Sequence, residues 1–399
     1  MVRQGRSRRE SNMSIAGLTA FSGVFALGVI FAIFGSIKLK MQEKLKIDDA
    51  KAGSLISALM FSCLIFSLLI GALTPALGFK VVGLIGFASG TLGVLLLAMA
   101  PSYGASMLAF FALGLAAMCV NTVGNTLGPM VLFPNSPATA NNLLNVFFGV
   151  GSFLTPLIIG NLIGKAGYKA TLGIIAALLA IPILWTVMGT DFPKIEGGFN
   201  FGRAAGWLVN PAVLAAGAAL FCYMSLESTL GGFLTTYLAD HKVDATKANN
   251  FLAGFWIALL LARLFTAGLG AYVLKDSAPM FFKFYVPVLA LLAAGSVMMM
   301  VTAKSVGTAV GAMLATGFIL GPIFPTIVGV TFGKTGVSAE VFGLIFAIGL
   351  FGGIITPRVM GGFSASGNIR KGMQVLAVLA VALIVLSGVL SLGIPDLAK

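Results

Sequence analysis

Charge is what this sequence has least of. Only 9% of its 399 residues are Asp, Glu, Lys or Arg, where an ordinary soluble domain carries roughly 25%. The hydrophobic share is 58%, more than a globular core can hide from water, so lipid must solvate much of the surface. Cysteine is also rare. Cys63, Cys119 and Cys222 sit in apolar runs with no spacing pattern, which excludes a disulfide framework and a metal site. The single histidine, His241, reads as a solvated loop residue. No phosphate-cradling loop, nucleotide motif or metal-ligand spacing is present. Direct ATP-driven transport therefore has no support, and neither cofactor nor metal is expected. No nucleophile–base pair appears, so the chain is not expected to be an enzyme. The lack of any sizeable hydrophilic domain argues against a receptor or scaffold. Closed barrels alternate apolar and polar residues, whereas "LGIIAALLAIPILWTVMG" (172–189) is apolar on every side.

What remains is an all-α membrane protein. A crossing needs about 20 apolar residues, and the runs predict about twelve helices, beginning near 14, 50, 79, 103, 138, 168, 209, 246, 279, 304, 337 and 371. The predicted organisation is a basic tail at 1–13, a six-helix half at 14–190, an inter-half loop at 191–208, a second six-helix half at 209–393 and a tail at 394–399. "MVRQGRSRRE" resembles a signal-peptide start, but the apolar run after it is too long and lacks a cleavage site, so a retained first span is expected. The halves look like copies. "KIDDAKAG" (46–53) matches "KVDATKAN" (242–249), "LGPM" (127–130) matches "LGPI" (320–323), and "GSFLTP" (151–156) matches "GGIITP" (352–357), in the same order.

The net charge of +13 is spread over loops and the amino terminus, which fits membrane topology and headgroups rather than nucleic acid. Arg3, Arg6, Arg8 and Arg9 argue for cytoplasmic termini and the lysines of the first loop argue against, so that the bias nearly cancels; cytoplasmic termini are expected partly by analogy of fold. The expectation is a monomeric multi-pass protein of a bacterial inner (plasma) membrane.

Polar residues inside spans are costly and mark function. Glu227 lies mid-span in "FCYMSLESTL" (221–230), with Tyr223 and Gly231 on its helical face. Arg263, in the next helix, is its obvious partner, as a coupling pair or as a purely structural one. Trp256 shares the Arg263 face, and an indole suits stacking on the apolar side of a sugar, though helix packing is nearly as good a reading. Asn121 and Asn125 pair on one face, as do Asn141, Asn142 and Asn145. Amides both donate and accept, which suits a neutral polyhydroxylated ligand; some will be interhelical glue, Asn141 first among them. Pro129, Pro156, Pro322 and Pro357 read as kinks or hinges.

At these residues the chain resembles the fucose–galactose–glucose permease branch of the major facilitator superfamily. "YMSLESTLGGFLTTYL" (223–238), "FWIALLLARLFTAGLG" (255–270), "GPIFPTIVG" (321–329), "NTVGNTLG" (121–128) and "NNLLNVFFGVGSFLTP" (141–156) carry the likeness through both halves. It implies alternating-access transport of a neutral monosaccharide, with a proton or sodium ion as possible co-substrate. The implied contacts are Asn121, Asn125, Asn142, Asn145, Tyr223, Glu227, Trp256 and Phe324, with Glu227 and Arg263 as coupling or ion-pair candidates. There are departures. The loop "GALTPALGFK" (71–80) lacks the superfamily's acid, and Gly35 and Asn121 stand where the branch has acids. Loss of two proton-carrying positions favours facilitated uniport over a symport through Glu227. An exporter of amphipathic drugs or metabolites is the alternative on the same fold.

Overall fold

The computed structural model describes residues 14–47, 49–194, 201–243 and 245–396. The predicted basic tail at 1–13, residues 195–200 of the inter-half loop and residues 397–399 lie outside them. Among the described residues there is no strand, and nine segments are long and apolar enough to cross a bilayer. Three of these, Ser54–Met99, Pro137–Met188 and Asn250–Thr302, are 46, 52 and 53 residues long. A crossing takes about 20, so each of the three crosses twice and the nine segments make twelve crossings.

Helix α1 is Ile15–Leu45, and α2 and α3 are the parts of Asp49–Met99 on either side of Gly78. Helix α4 is Tyr103–Leu132, and α5 and α6 are the parts of Pro137–Met188 on either side of Gly167. The second half comprises α7 (Pro211–Asp240), α8 (245–274), α9 (Ala278–Thr302), α10 (Val306–Thr335), α11 (Ala339–Ala365) and α12 (Ile369–Gly393). A short helix, Phe201–Trp207, lies between the halves. Each start falls close to where an apolar run begins, and five of the starts carry a side-chain cap. Ser14, Ser102, Ser305 and Ser338 accept from backbone N–H groups of the first turns they precede. Asn210 does so for α7, with Pro211 at the first helical position. Gly78 and Gly167 have φ of 77° and 80°, a left-handed step that lets two helices meet with almost no loop.

The duplication seen in the sequence recurs in the backbone. Lys46 and Lys242, at matched positions, both have positive φ, at 51° and 61°. A Cβ at Gly151 of α5 would strike the Phe25 carbonyl of α1, and one at Gly352 of α11 would strike the Phe221 carbonyl of α7. The first glycine of each "GSFLTP"/"GGIITP" copy thus makes the same close helix crossing.

Close contacts between the halves gather at the end where α1 begins and α12 finishes. Gly71 of α2 faces Gly343 of α11, a Cβ at Gly71 lying 3.1 Å from the Gly343 Cα. Gly329 of α10 sits on the Ala138 backbone of α5, and Gly270 of α8 on Thr139 of α5. Asn142 Nδ2 of α5 donates to Thr326 Oγ1 of α10 at 3.0 Å. The halves are therefore closed on the side of the chain termini.

Candidate functional site

Above that closed end, between the halves, lies a cavity of about 260 Å³. The first half lines it with Leu27, Phe31, Met60, Asn121, Asn145 and Phe148. The second contributes Met224, Glu227, Ser228, Trp256, Arg263, Phe324, Phe346, Leu350 and Gly353. The wall is mostly apolar with a few polar groups, as in small-molecule sites generally.

Arg263 organises the second half's side of the cavity. Its Nη2 donates to Glu227 Oε1 at 3.3 Å and to the Tyr223 hydroxyl at 3.3 Å, and its Nε donates to the Gly321 carbonyl at 2.8 Å. The last bond has a local cause. In a regular helix the Gly321 carbonyl would accept from residue 325, but Pro325 has no N–H. The carbonyl is left without its helical partner and Arg263 takes it. Across the half boundary, the guanidinium lies 5.9 Å from the Phe148 ring centre, within cation–π range. Arg263 Nη1 is buried with no partner. Trp256 stands 39% exposed against Gly231, where a Cβ would be 2.6 Å from the indole Cζ2. The small residue on the Glu227 face thus makes room for the tryptophan.

The first half contributes a line of amides from α4 and α5. Asn145 Nδ2 donates to Asn125 Oδ1 at 2.9 Å and to the Asn141 carbonyl at 2.9 Å. Asn125 Nδ2 donates to Asn121 Oδ1 at 2.8 Å and to the Asn121 carbonyl at 3.2 Å. Asn121 Nδ2 has no acceptor. Helix α4 widens into a π-type turn at Val123–Leu127, just where Asn125 points inward to bridge the other two, a common site for such turns.

Of the residues named from sequence, Asn121, Asn145, Glu227, Trp256, Phe324 and Arg263 line one cavity. Asn125, Asn142 and Tyr223 do not. Asn125 lies behind the wall, Tyr223 is fully buried beneath Arg263, and Asn142 ties α5 to α10 at the closed end. Asn141 is buried with both amide atoms unpartnered, away from the cavity. Gly35 is exposed and outside the lining, so α1 presents Leu27 and Phe31 instead. Sequence reasoning missed Phe148, Ser228 and Phe346. Phe148 was within reach, since it follows Asn145 by three residues on the same helical face. Phe346 meets Phe324 edge-on at 6.0 Å, a contact between α10 and α11 with no local signal.

Two six-helix halves around a central cavity, tight at one end, define a secondary transporter. The family model of the Major Facilitator Superfamily matches residues 19–357, and the chain belongs to that family. No curated protein matches it in sequence. Among solved structures it is similar to a Major Facilitator Superfamily transporter, FucP, in the outward conformation, at 19% identity and a TM-score of 0.80, covering 94% of this chain and 98% of that one. A variant of the E. coli fucose:proton symporter FucP is similar at 19% identity and a TM-score of 0.79, with the same coverage. The human organic anion transporter MFSD10 (TETRAN) is similar at 14% identity and 0.74, covering 94% and 99%. These likenesses establish the fold; the last two act on chemically different solutes, so fold alone does not choose a substrate.

Proposed function

We propose that the chain carries a neutral monosaccharide of the glucose–galactose–fucose class across the membrane by alternating access. Asn121 and Asn145 would meet hydroxyls from one half, with Glu227 and Trp256 meeting the sugar from the other. Facilitated uniport is favoured over symport. The observation that carries this is the Glu227–Arg263 pair at 3.3 Å: the one acid among the described residues of the cavity lining is engaged by a guanidinium, which suits a fixed acceptor for sugar hydroxyls. The same proposal has the protein act as a monomer in a bacterial inner membrane, with both termini cytoplasmic. A cavity of about 260 Å³ sits below the ~300–1,000 Å³ typical of drug-sized ligands, which weighs against an exporter of large amphipathic compounds.

The reading is tested by uptake of labelled glucose, galactose and fucose into proteoliposomes, with and without proton or sodium gradients. Uniport predicts that the internal sugar only equilibrates under every gradient. Accumulation above equilibrium under a proton gradient, lost in Glu227→Gln, would replace uniport by symport. Efflux of hydrophobic cations without any sugar exchange would sink the sugar reading.

A further inference from the structure

We infer that Asn125, which does not touch the cavity, decides which hydrogen-bonding face the first half shows to a substrate: a donor at Asn121 and an acceptor at Asn145. The inference rests on the reading that the ligand is a hydroxylated solute bound between the halves.

The three amides form a relay with a direction. Asn145 gives hydrogens to Asn125, and Asn125 gives hydrogens to Asn121. An asparagine can usually be turned over without visible change, exchanging its oxygen and nitrogen. Here the backbone forbids it. Asn145 Nδ2 also donates to the Asn141 carbonyl, and Asn125 Nδ2 to the Asn121 carbonyl. A carbonyl only accepts, so turning either side chain over would set oxygen against oxygen. With the Asn125 nitrogen aimed at it, Asn121 must offer its oxygen to Asn125 and keep its nitrogen free.

The ends of the relay are therefore unlike. Asn121 Nδ2 is buried with no acceptor, and among the described residues no donor reaches Asn145 Oδ1. Both residues line the cavity, while Asn125 is fully buried behind them. A hydroxyl bound at Asn121 must accept, and one bound at Asn145 must donate. Asn125 is a positioning residue that fixes this polarity through its neighbours.

Substitution by aspartate separates the roles. In Asn125→Asp the carboxylate still accepts from Asn145 but has no hydrogen for Asn121. Asn121 then turns to donate to the carboxylate, and its oxygen faces the cavity. Competition of deoxy and deoxyfluoro hexoses in sugar counterflow reads this out, because fluorine keeps an acceptor where the hydroxyl stood and removes the donor. In the wild type, one ring position should show the fluoro sugar competing about 10-fold better than the deoxy sugar, the size of one net hydrogen bond. Asn125→Asp should abolish that preference at that position. A transporting Asn125→Asp protein with the preference intact would overturn the inference. Should Asn125→Asp fail to fold, Asn121→Asp, which keeps the relay but presents oxygen to the cavity, must lose the same preference; its retention is equally fatal. If the wild type exchanges no sugar, the sugar reading fails alone. The relay is then judged by side-chain amide hydrogen exchange, where Asn125 and Asn145 must be protected at least about 10-fold over Asn121, and equal protection overturns it.

Discussion

Glu227 and Arg263 hold each other in place at the centre of a membrane protein, and the cost of separating them is unequal. The Arg263 side chain is 3% exposed and that of Glu227 is 23% exposed. Removing one member of a buried pair costs about 3–5 kcal/mol because the other charge is stranded; partial exposure of Glu227 brings the expected loss for Arg263→Met to about 2–3 kcal/mol. Glu227→Gln should be milder, since Arg263 keeps the Gly321 carbonyl and the Tyr223 hydroxyl as acceptors. The double variant Arg263→Met/Glu227→Gln should recover much of the loss, because neither charge remains. Thermal unfolding of the purified variants in detergent checks the order. A double variant less stable than Arg263→Met would mean that the pair acts through something other than its charges.

Among the elements, α10 carries the most consequential irregularity. Pro325 frees the Gly321 carbonyl, and Arg263 of α8 fills the gap. Pro325→Ala would return an N–H to the helix and set it in competition with Arg263. The expected outcome is a straighter α10, a loosened Arg263 and slower sugar counterflow, with the fold retained. A variant that transports at the wild-type rate would show the break to be dispensable. The same element explains what could be read in the sequence and what could not. Twelve apolar runs and duplicated motifs are patterns along the chain, so the helices and their order were legible. The residues of the cavity were legible where polar groups fall mid-span at helical spacing, as at Asn121, Asn145, Glu227 and Arg263. Behind the wall, Asn125 and Tyr223 carry the same pattern, and only the rotation of each helix in the bundle separates them from cavity residues. The Arg263–Gly321 bond joins residues 58 apart in sequence, and nothing near Pro325 says which donor fills its gap.

At the scale of the whole molecule, the C-terminal end is pinned to the second half. Asp396 accepts from Lys283 at the start of α9 and from Lys334 at the end of α10, and Lys334 also donates to the Ile394 carbonyl. Burial pushes the Asp396 carboxyl up, but the hydrogen bonds and charges of the two lysines outweigh it and hold it below the ordinary carboxylate range. A lowered value means the contribution is complete above the ordinary carboxylate range and disappears as pH falls through the lowered one. Asp396→Asn should therefore melt below the wild type near neutrality, and the two should converge in strong acid. A gap that persists unchanged in acid would show that the tail acts by packing alone. A second prediction belongs to the closed end. Gly329→Val would drive a branched side chain into the Ala138 backbone and should favour the opposite-facing state. A cysteine placed at Ser228 should then react more slowly with an impermeant maleimide from the far side; equal or faster labelling would contradict the assignment of the closed end.

The contacts described at that closed end are glycines seated on backbone or on the Thr139 side chain, and one amide–hydroxyl bond. Dispersion is short in range, and a gap of about 0.5–1 Å already forfeits a quarter to a half of it. Such a seam holds firmly when shut and exerts almost no pull once parted, so the two halves are either seated or free.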